Sequence, residues 1–302
     1  MSWKVTLPCT RAEAEALKGD IVAFAALDFP PALMTSEPDP AQPDAWRLDA
    51  YFEAEPSPAD IATLRALVPS AGRAKAAVER LPDEDWLTLS QAGLEPIRAG
   101  RFFVHTPAHR DEVPAGAIAF EIDAGRAFGT GQHETTTGCL VALDRLKREG
   151  AVFANVADIG TGTGLLAFAA MRLWPAARAI ASDIDPVAIE VAAENAAINR
   201  VPIGRGPGRL ALAVAAGLDH RALAARAPYD LIVANILAGP LIDLAPAFAA
   251  ALAPGGRLIL AGLLESQKAR VLAACRRRGF DPSFEIMRGD WPTLVLRRRA
   301  RR

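Results

Sequence analysis

Val156-Ala-Asp-Ile-Gly-Thr-Gly-Thr-Gly164, answered by Ala181-Ser-Asp-Ile-Asp-Pro186, is the stretch whose reading decides the fold. The first segment reads as a buried strand that stops in a glycine-rich turn. Three glycines let the backbone take positive φ and approach a ligand closely. A helix over 165–173 follows, so its N-terminus faces the turn. The second segment reads as the next parallel strand, with Asp183 at its carboxyl end. A carboxylate there is placed to accept hydrogen bonds from both hydroxyls of a ribose. Together they imply a nucleoside-containing ligand at the C-terminal edge of a parallel sheet.

Strand and helix signals alternate outward from this stretch. Strands are expected at 155–159, 179–183, 209–214, 230–234 and 257–261, and helices at 165–173, 186–199, 240–252 and 265–278. That is the βαβ alternation of a doubly wound sheet. Two short strands, 283–287 and 293–296, then follow with no helix between them. Upstream, 101–105 and 117–122 read as strands. The polar loop Phe128-Gly-Thr-Gly-Gln-His-Glu-Thr-Thr-Thr137 runs into a helix reaching Leu146. Residues 94–302 therefore form one large domain. Residues 1–70 mix strand signals (3–7, 46–53) with helical ones (11–17, 58–67) around a Pro/Asp-rich loop from Pro30 to Pro43. This suits a small α+β domain of the ferredoxin-like kind. The Ala- and charge-rich stretch 71–93 reads as a connecting helix.

Composition sets bounds. The chain has 302 residues, half of them apolar, and a formal net charge of −1. That length suits two domains and a full core. Near-neutral charge argues against broad nucleic-acid binding, which needs a basic face. No apolar run is long enough to span a bilayer, and the start lacks a signal-peptide pattern. Three scattered cysteines and four histidines show no metal-ligand spacing, so no metal is expected, and a cytoplasmic location fits. The tail Arg297-Arg-Arg-Ala-Arg-Arg302 reads either as a contact for RNA or an acidic partner, or as a solvated terminus. The rest of the chain gives it no basic company, which favours the second reading.

The glycine spacing is G-x-G-x-G after Asp158, not the G-x-G-x-x-G of dinucleotide sites. It resembles motif I of the class I S-adenosylmethionine methyltransferases. An antiparallel strand inserted last into a parallel sheet is similar to their seven-stranded, Rossmann-like fold. Four segments read together are more specific: Phe128-Gly-Thr-Gly-Gln-His-Glu-Thr-Thr136, Asp158-Ile-Gly-Thr-Gly-Thr-Gly164, Ser182-Asp-Ile-Asp-Pro-Val-Ala188 and Ala234-Asn-Ile-Leu-Ala238. In order and spacing they resemble the PrmA family of ribosomal protein methyltransferases, strongly from about residue 84 onward and weakly over the first seventy residues.

The resemblance implies S-adenosylmethionine as cofactor and lysine and N-terminal amines of large-subunit protein L-eleven as substrate. It implies cofactor contacts at Thr136, Gly160, Gly162, Asp183 and Asn235, and a recognition role for the N-terminal domain. Thr136 also reads as a plain helix N-cap, and Asn235 as a cap before the next helix. Asn235 closes an apolar strand, where αβ folds place chemistry. Related amine and amide methyltransferases often carry Asn-Pro-Pro-Tyr there. Asn-Ile-Leu-Ala lacks the aromatic that stacks on a flat base or amide, and leaves room for an aliphatic amine. His133 reads equally as a general base and as a loop-holding residue. Gly129 and Gly131 read as allowing loop closure.

Three other functions compete. One is a related lysine methyltransferase acting on another protein, such as the electron-transfer flavoprotein β-subunit. Another is a non-catalytic, cofactor-responsive ribosome module. The most distant is a nicotinamide oxidoreductase. A monomer with no membrane contact and no direct sequence-specific nucleic-acid contact is expected.

Overall fold

The computed structural model describes residues 2–17, 31–36, 45–52, 54–72, 74–81, 96–122 and 133–300. They belong to two compact units, Met1–Ser90 and Gln91–Arg302.

The first unit runs β1 (Ser2–Thr10), α1 (Arg11–Ala16), β2 (Ala32–Ser36), β3 (Ala45–Phe52), α2 (Pro58–Leu67) and β4 (Ala77–Leu81). Its four strands lie in the order β2-β3-β1-β4, with every neighbouring pair antiparallel. Val5, Leu7, Cys9, Leu48, Ala50 and Phe52 face a core shared with Leu64 and Val68. The α2 helix starts at a reciprocal cap: Ser57 Oγ accepts from Asp60 N, and Asp60 accepts from Ser57 N.

Two expectations change here. β2 lies inside the stretch read as a loop, because β3 offers a paired edge that proline content alone does not reveal. Part of the stretch read as a connecting helix, Ala77–Leu81, is instead a strand. It pairs with β1 from Ser2↔Leu81 to Thr6↔Ala77. Alanine-rich helix propensity is worth tenths of a kcal/mol per residue and yields to an open sheet edge. Residues 82–93 of that stretch lie outside the described residues.

In the second unit, β5 (Ile97–Ala99), β6 (Phe102–His105) and β7 (Ile118–Glu121) form a small sheet. Then follow α3 (His133–Arg148), β8 (Asn155–Ile159), α4 (Leu165–Leu173), β9 (Arg178–Asp183), α5 (Pro186–Ile198), β10 (Leu210–Val214), α6 (Arg221–Ala224), β11 (Tyr229–Asn235), α7 (Ala238–Ala251), β12 (Leu252–Ala261), α8 (Glu265–Arg277), β13 (Phe280–Arg288) and β14 (Trp291–Arg298). The large sheet has the order β10-β9-β8-β11-β12-β14-β13. The first five strands are parallel, β14 runs antiparallel to β12, and β13 is antiparallel to β14.

Alternation builds two cores on this sheet. Val156, Ala179, Leu231, Ile259 and Val295 face Leu140 and Leu143 of α3 and Phe168 of α4. Ala157, Ile180, Ile232, Leu258 and Leu296 face Leu241 and Phe248 of α7 and Val271 of α8. Helices on both faces explain why the central strands are almost wholly apolar. The strand order reverses at β8, which has β9 on one side and β11 on the other. A crevice at the carboxyl ends of the strands belongs at that switch point.

Candidate functional site

Every residue of β8 is buried, and the strand ends at Gly160, whose φ is 72°. Gly160 N and Thr161 N both donate to Ser182 O on β9, at 2.8 and 2.9 Å. The turn is thus tied to the next strand before α4 begins. A Cβ on Gly160 would sit 2.2 Å from Ile236 Cγ2, and one on Gly164 would sit 2.5 Å from the Phe168 ring. Gly160 is therefore required by its conformation and by the chain that follows β11.

Asp183, half-buried at the end of β9, binds this turn directly. Its Oδ2 accepts from Gly162 N at 2.9 Å and its Oδ1 from Asp185 N at 3.1 Å. Each carboxylate oxygen has two acceptor positions, so one on each stays open toward a diol. Asp185 caps α5 by accepting from Val187 N at 2.8 Å. Asn195 of α5 is fully buried and donates to Thr163 O at 3.1 Å, holding the far side of the turn.

Asn235 ends β11 and is half-buried. It is not a helix cap: the N-cap of α7 is Leu237, which has no side-chain cap. The next residue, Ile236, donates to Ala261 O at 3.1 Å, and Gly262 packs so tightly on Ile236 that a Cβ would meet its carbonyl oxygen at 2.4 Å. Among the described residues no hydrogen bond occupies the Asn235 amide. β9, β8 and β11 are neighbours, so Asp183, Gly160 and Asn235 stand at the same ends of three consecutive strands.

α3 reaches this edge from another direction. Glu134, in its first turn, pairs with Arg288 at 2.9 Å, and Gly138 is pressed against Thr293 of β14. Thr136 lies within the first turn, past the N-cap position, so the plain-cap reading does not hold. No hydrogen bond joins Thr136 to Asp183 or Asn235 among the described residues. His133 opens the helix, but its side chain lies outside the described residues, as do Gly129 and Gly131.

Asp158 is the residue that sequence reading quoted and gave no role. It is 1% exposed. Its Oδ2 accepts from Thr161 Oγ1 at 2.6 Å and from Ala167 N at 3.1 Å, while its Oδ1 is buried without a partner. Burial, reinforced by the Asp183 charge, pushes its pKa up to about 7 against the pull of those two hydrogen bonds. Burial also raises the thiol of Cys139 on α3, with the Asp158 charge contributing. A lone charge at the end of an apolar strand was the available signal.

A doubly wound sheet with an antiparallel strand inserted last, a glycine turn and a strand-end carboxylate define a nucleoside-binding methyltransferase domain. The family description "Ribosomal protein L11 methyltransferase (PrmA)" matches residues 3–299, and the chain belongs to that family. A ribosomal protein L11 methyltransferase of Caulobacter sp. is 44% identical over 253 residues, 84% of this chain and 83% of that protein. One from Brucella melitensis biotype 2 is 48% identical over 219 residues, 72% of this chain and 74% of that protein. The crystal structure of a ribosomal protein L11 methylase from Lactobacillus delbrueckii subsp. bulgaricus aligns with a TM-score of 0.57 at 29% identity, covering 68% of this chain and 98% of that one.

Proposed function

We propose that this chain transfers methyl groups from S-adenosylmethionine to lysine and N-terminal amines of ribosomal protein L11. The observation that carries the reading is the convergence of Gly160, Asp183 and Asn235 at the carboxyl ends of three adjacent strands. The residues present fit the methyl donor: the glycine turn presents backbone rather than side chains at the strand end, Asp183 keeps acceptor capacity for a ribose, and Asp158 holds an unpaired buried oxygen near the turn. In this reading Gly160 and Gly162 bring backbone to the donor, Asp183 takes its ribose hydroxyls, and Thr136 meets its carboxylate from the first turn of α3.

Bound there, S-adenosylmethionine supplies an electrophilic sulfonium methyl. The protein has to present an uncharged amine to it in line. A lysine amine has a pKa of ~10.4 in water, so the site has to favour the neutral form by desolvation or a proton acceptor. The Asn235 carbonyl accepts from the amine and aims its lone pair. His133, the first residue of α3, is the candidate general base.

The order β2-β3-β1-β4, with α1 following β1 and α2 between β3 and β4, supports a ferredoxin-like assignment for the first unit. We assign substrate recognition to that unit and a monomeric, cytoplasmic state to the chain. Incubating the full chain with labelled donor and either purified ribosomal protein or electron-transfer flavoprotein, followed by intact-mass analysis, tests the assignment. Methyl increments on the ribosomal protein alone support it. Increments only on the flavoprotein move the substrate to the related enzyme. Label on neither, with donor still bound, favours the non-catalytic module.

A further inference from the structure

We propose that the edge of the large sheet opposite the site, centred on Arg257, Arg297 and Arg298, docks the phosphate backbone of RNA. The arginine tail read from sequence as a solvated terminus begins inside β14, and the fold gives it basic company. Arg257 of β12 lies in register with Arg297 of β14. The two share the face of Ile259 and Val295, and Arg298 points to the other face. The Arg257 pKa is lowered, first by burial and then by the Arg297 charge. Like charges directly opposite each other in an antiparallel pair are unfavourable; Glu149 offsets part of this at Arg257, and Asp281 of β13 lies opposite Arg297 on its other side. Arg257 Nη1 and Arg298 Nη1 are buried with no hydrogen-bond partner.

The nearby carboxylates are already engaged. Glu149 pairs with Arg145, Asp144 with Arg101 and Arg148, Asp281 with Arg299, and Glu285 with Lys268. Among the described residues, Arg257, Arg297 and Arg298 form no ion pair. The same edge receives the end of α3, with Lys147 and Arg148, and the end of α8, with Arg276, Arg277 and Arg278. Helix dipoles account for cations at those two C-termini. They do not account for two arginines held in register on paired strands.

The forked guanidinium of Arg297 is exposed beside the half-buried Arg257 and matches phosphate oxygens. A row of phosphates suits an edge where Arg257 and Arg297 stand side by side near two basic helix ends. The choice of RNA over other polyanions rests on the ribosomal-protein reading above. Because the patch is at the far edge of the sheet, RNA bound there leaves the ends of β8, β9 and β11 open to the protein substrate. The contacts are to backbone, so no base sequence is selected.

Anisotropy of a fluorescein-labelled, mixed-sequence single-stranded RNA, titrated with the full chain across a salt series, tests this. The wild type binds, and its log Kd against log salt is steep. Arg257→Gln with Arg297→Gln weakens binding about tenfold and makes the slope shallower by about 1.4, roughly 0.7 for each lost phosphate contact. Methylation of the free ribosomal protein and donor affinity stay unchanged, and the thermal midpoint is not lowered. Arg297→Gln alone, at an exposed position, gives about half the change in slope and guards against misfolding of the double variant. No binding by the wild type near 50 mM salt, or identical slopes for wild type and variants, overturns the proposal. So does displacement of the RNA by polyglutamate at equal charge, which marks an acidic protein partner instead. Failure of the ribosomal-protein reading shows separately, as loss of labelling of the free protein by the wild type.

Discussion

Asp158→Asn is expected to make the protein more stable at alkaline pH and nearly neutral at acid pH. The carboxyl is 1% exposed with one oxygen unpartnered, and its pKa of about 7 stands about three units above the ordinary ~3.9. The folded state therefore holds a proton that the unfolded state releases between about pH 4 and 7. Stability falls as pH rises through that window, because the native state binds more protons than the unfolded one. Three units correspond to about 4 kcal/mol. Asparagine keeps an oxygen to accept from Thr161 Oγ1 and Ala167 N, and its uncharged amide takes the place of the unpaired oxygen. Below pH 5 the variant should lie within about 1–2 kcal/mol of wild type, the cost of an unsatisfied buried N–H. Between pH 5 and 8.5 the difference should move toward the variant by a few kcal/mol. Urea unfolding of both proteins at each pH measures this. Carboxylates whose pKa values are depressed, such as Glu121 beside Arg110, give the opposite slope but cancel in the difference. A pH-independent gap between wild type and variant would refute the reasoning.

Asp183→Ala should weaken donor binding by one to two orders of magnitude and loosen the Gly162 turn, while the fold persists; unchanged affinity by calorimetry removes Asp183 from the site. Gly160→Ala places a Cβ against Ile236 at φ 72°, so a loss of about 2–4 kcal/mol in unfolding free energy is expected, together with lost activity; a wild-type melting curve counts against the packing account. Asn235→Ala should lower kcat by more than it weakens donor binding, and an unaltered kcat means the amine is oriented by another group. Removing residues 1–90 should leave donor binding intact and abolish methylation of the ribosomal protein, whereas full activity on that substrate would show that recognition lies in the second unit.

Sequence by itself determined the catalytic-domain architecture. Mostly apolar strands at 155–159, 179–183 and 230–234, with polar residues near their ends, lie between helical segments and favour a parallel sheet covered on both faces, because a strand buried on both sides does not carry regularly alternating polar residues. The glycine spacing and Asp183 pointed to the proposed site, since positive φ at Gly160 and a strand-end carboxylate are local properties. Other features were decided only by residues distant in the chain. Ala77–Leu81 reads as helix until β1 offers an edge. Asp158 acquires its raised pKa from burial under the helices packed on β8, with the Asp183 charge of the next strand adding to it. Ile236 becomes the wall of the glycine turn only when β11 lies beside β8. The arginines at 257 and 297 stand forty residues apart in sequence and become one patch through the β12–β14 register. Periodicity and glycine conformation are local and legible. Desolvation, charge coupling and steric closure depend on what the fold brings near, so tertiary structure alone sets them.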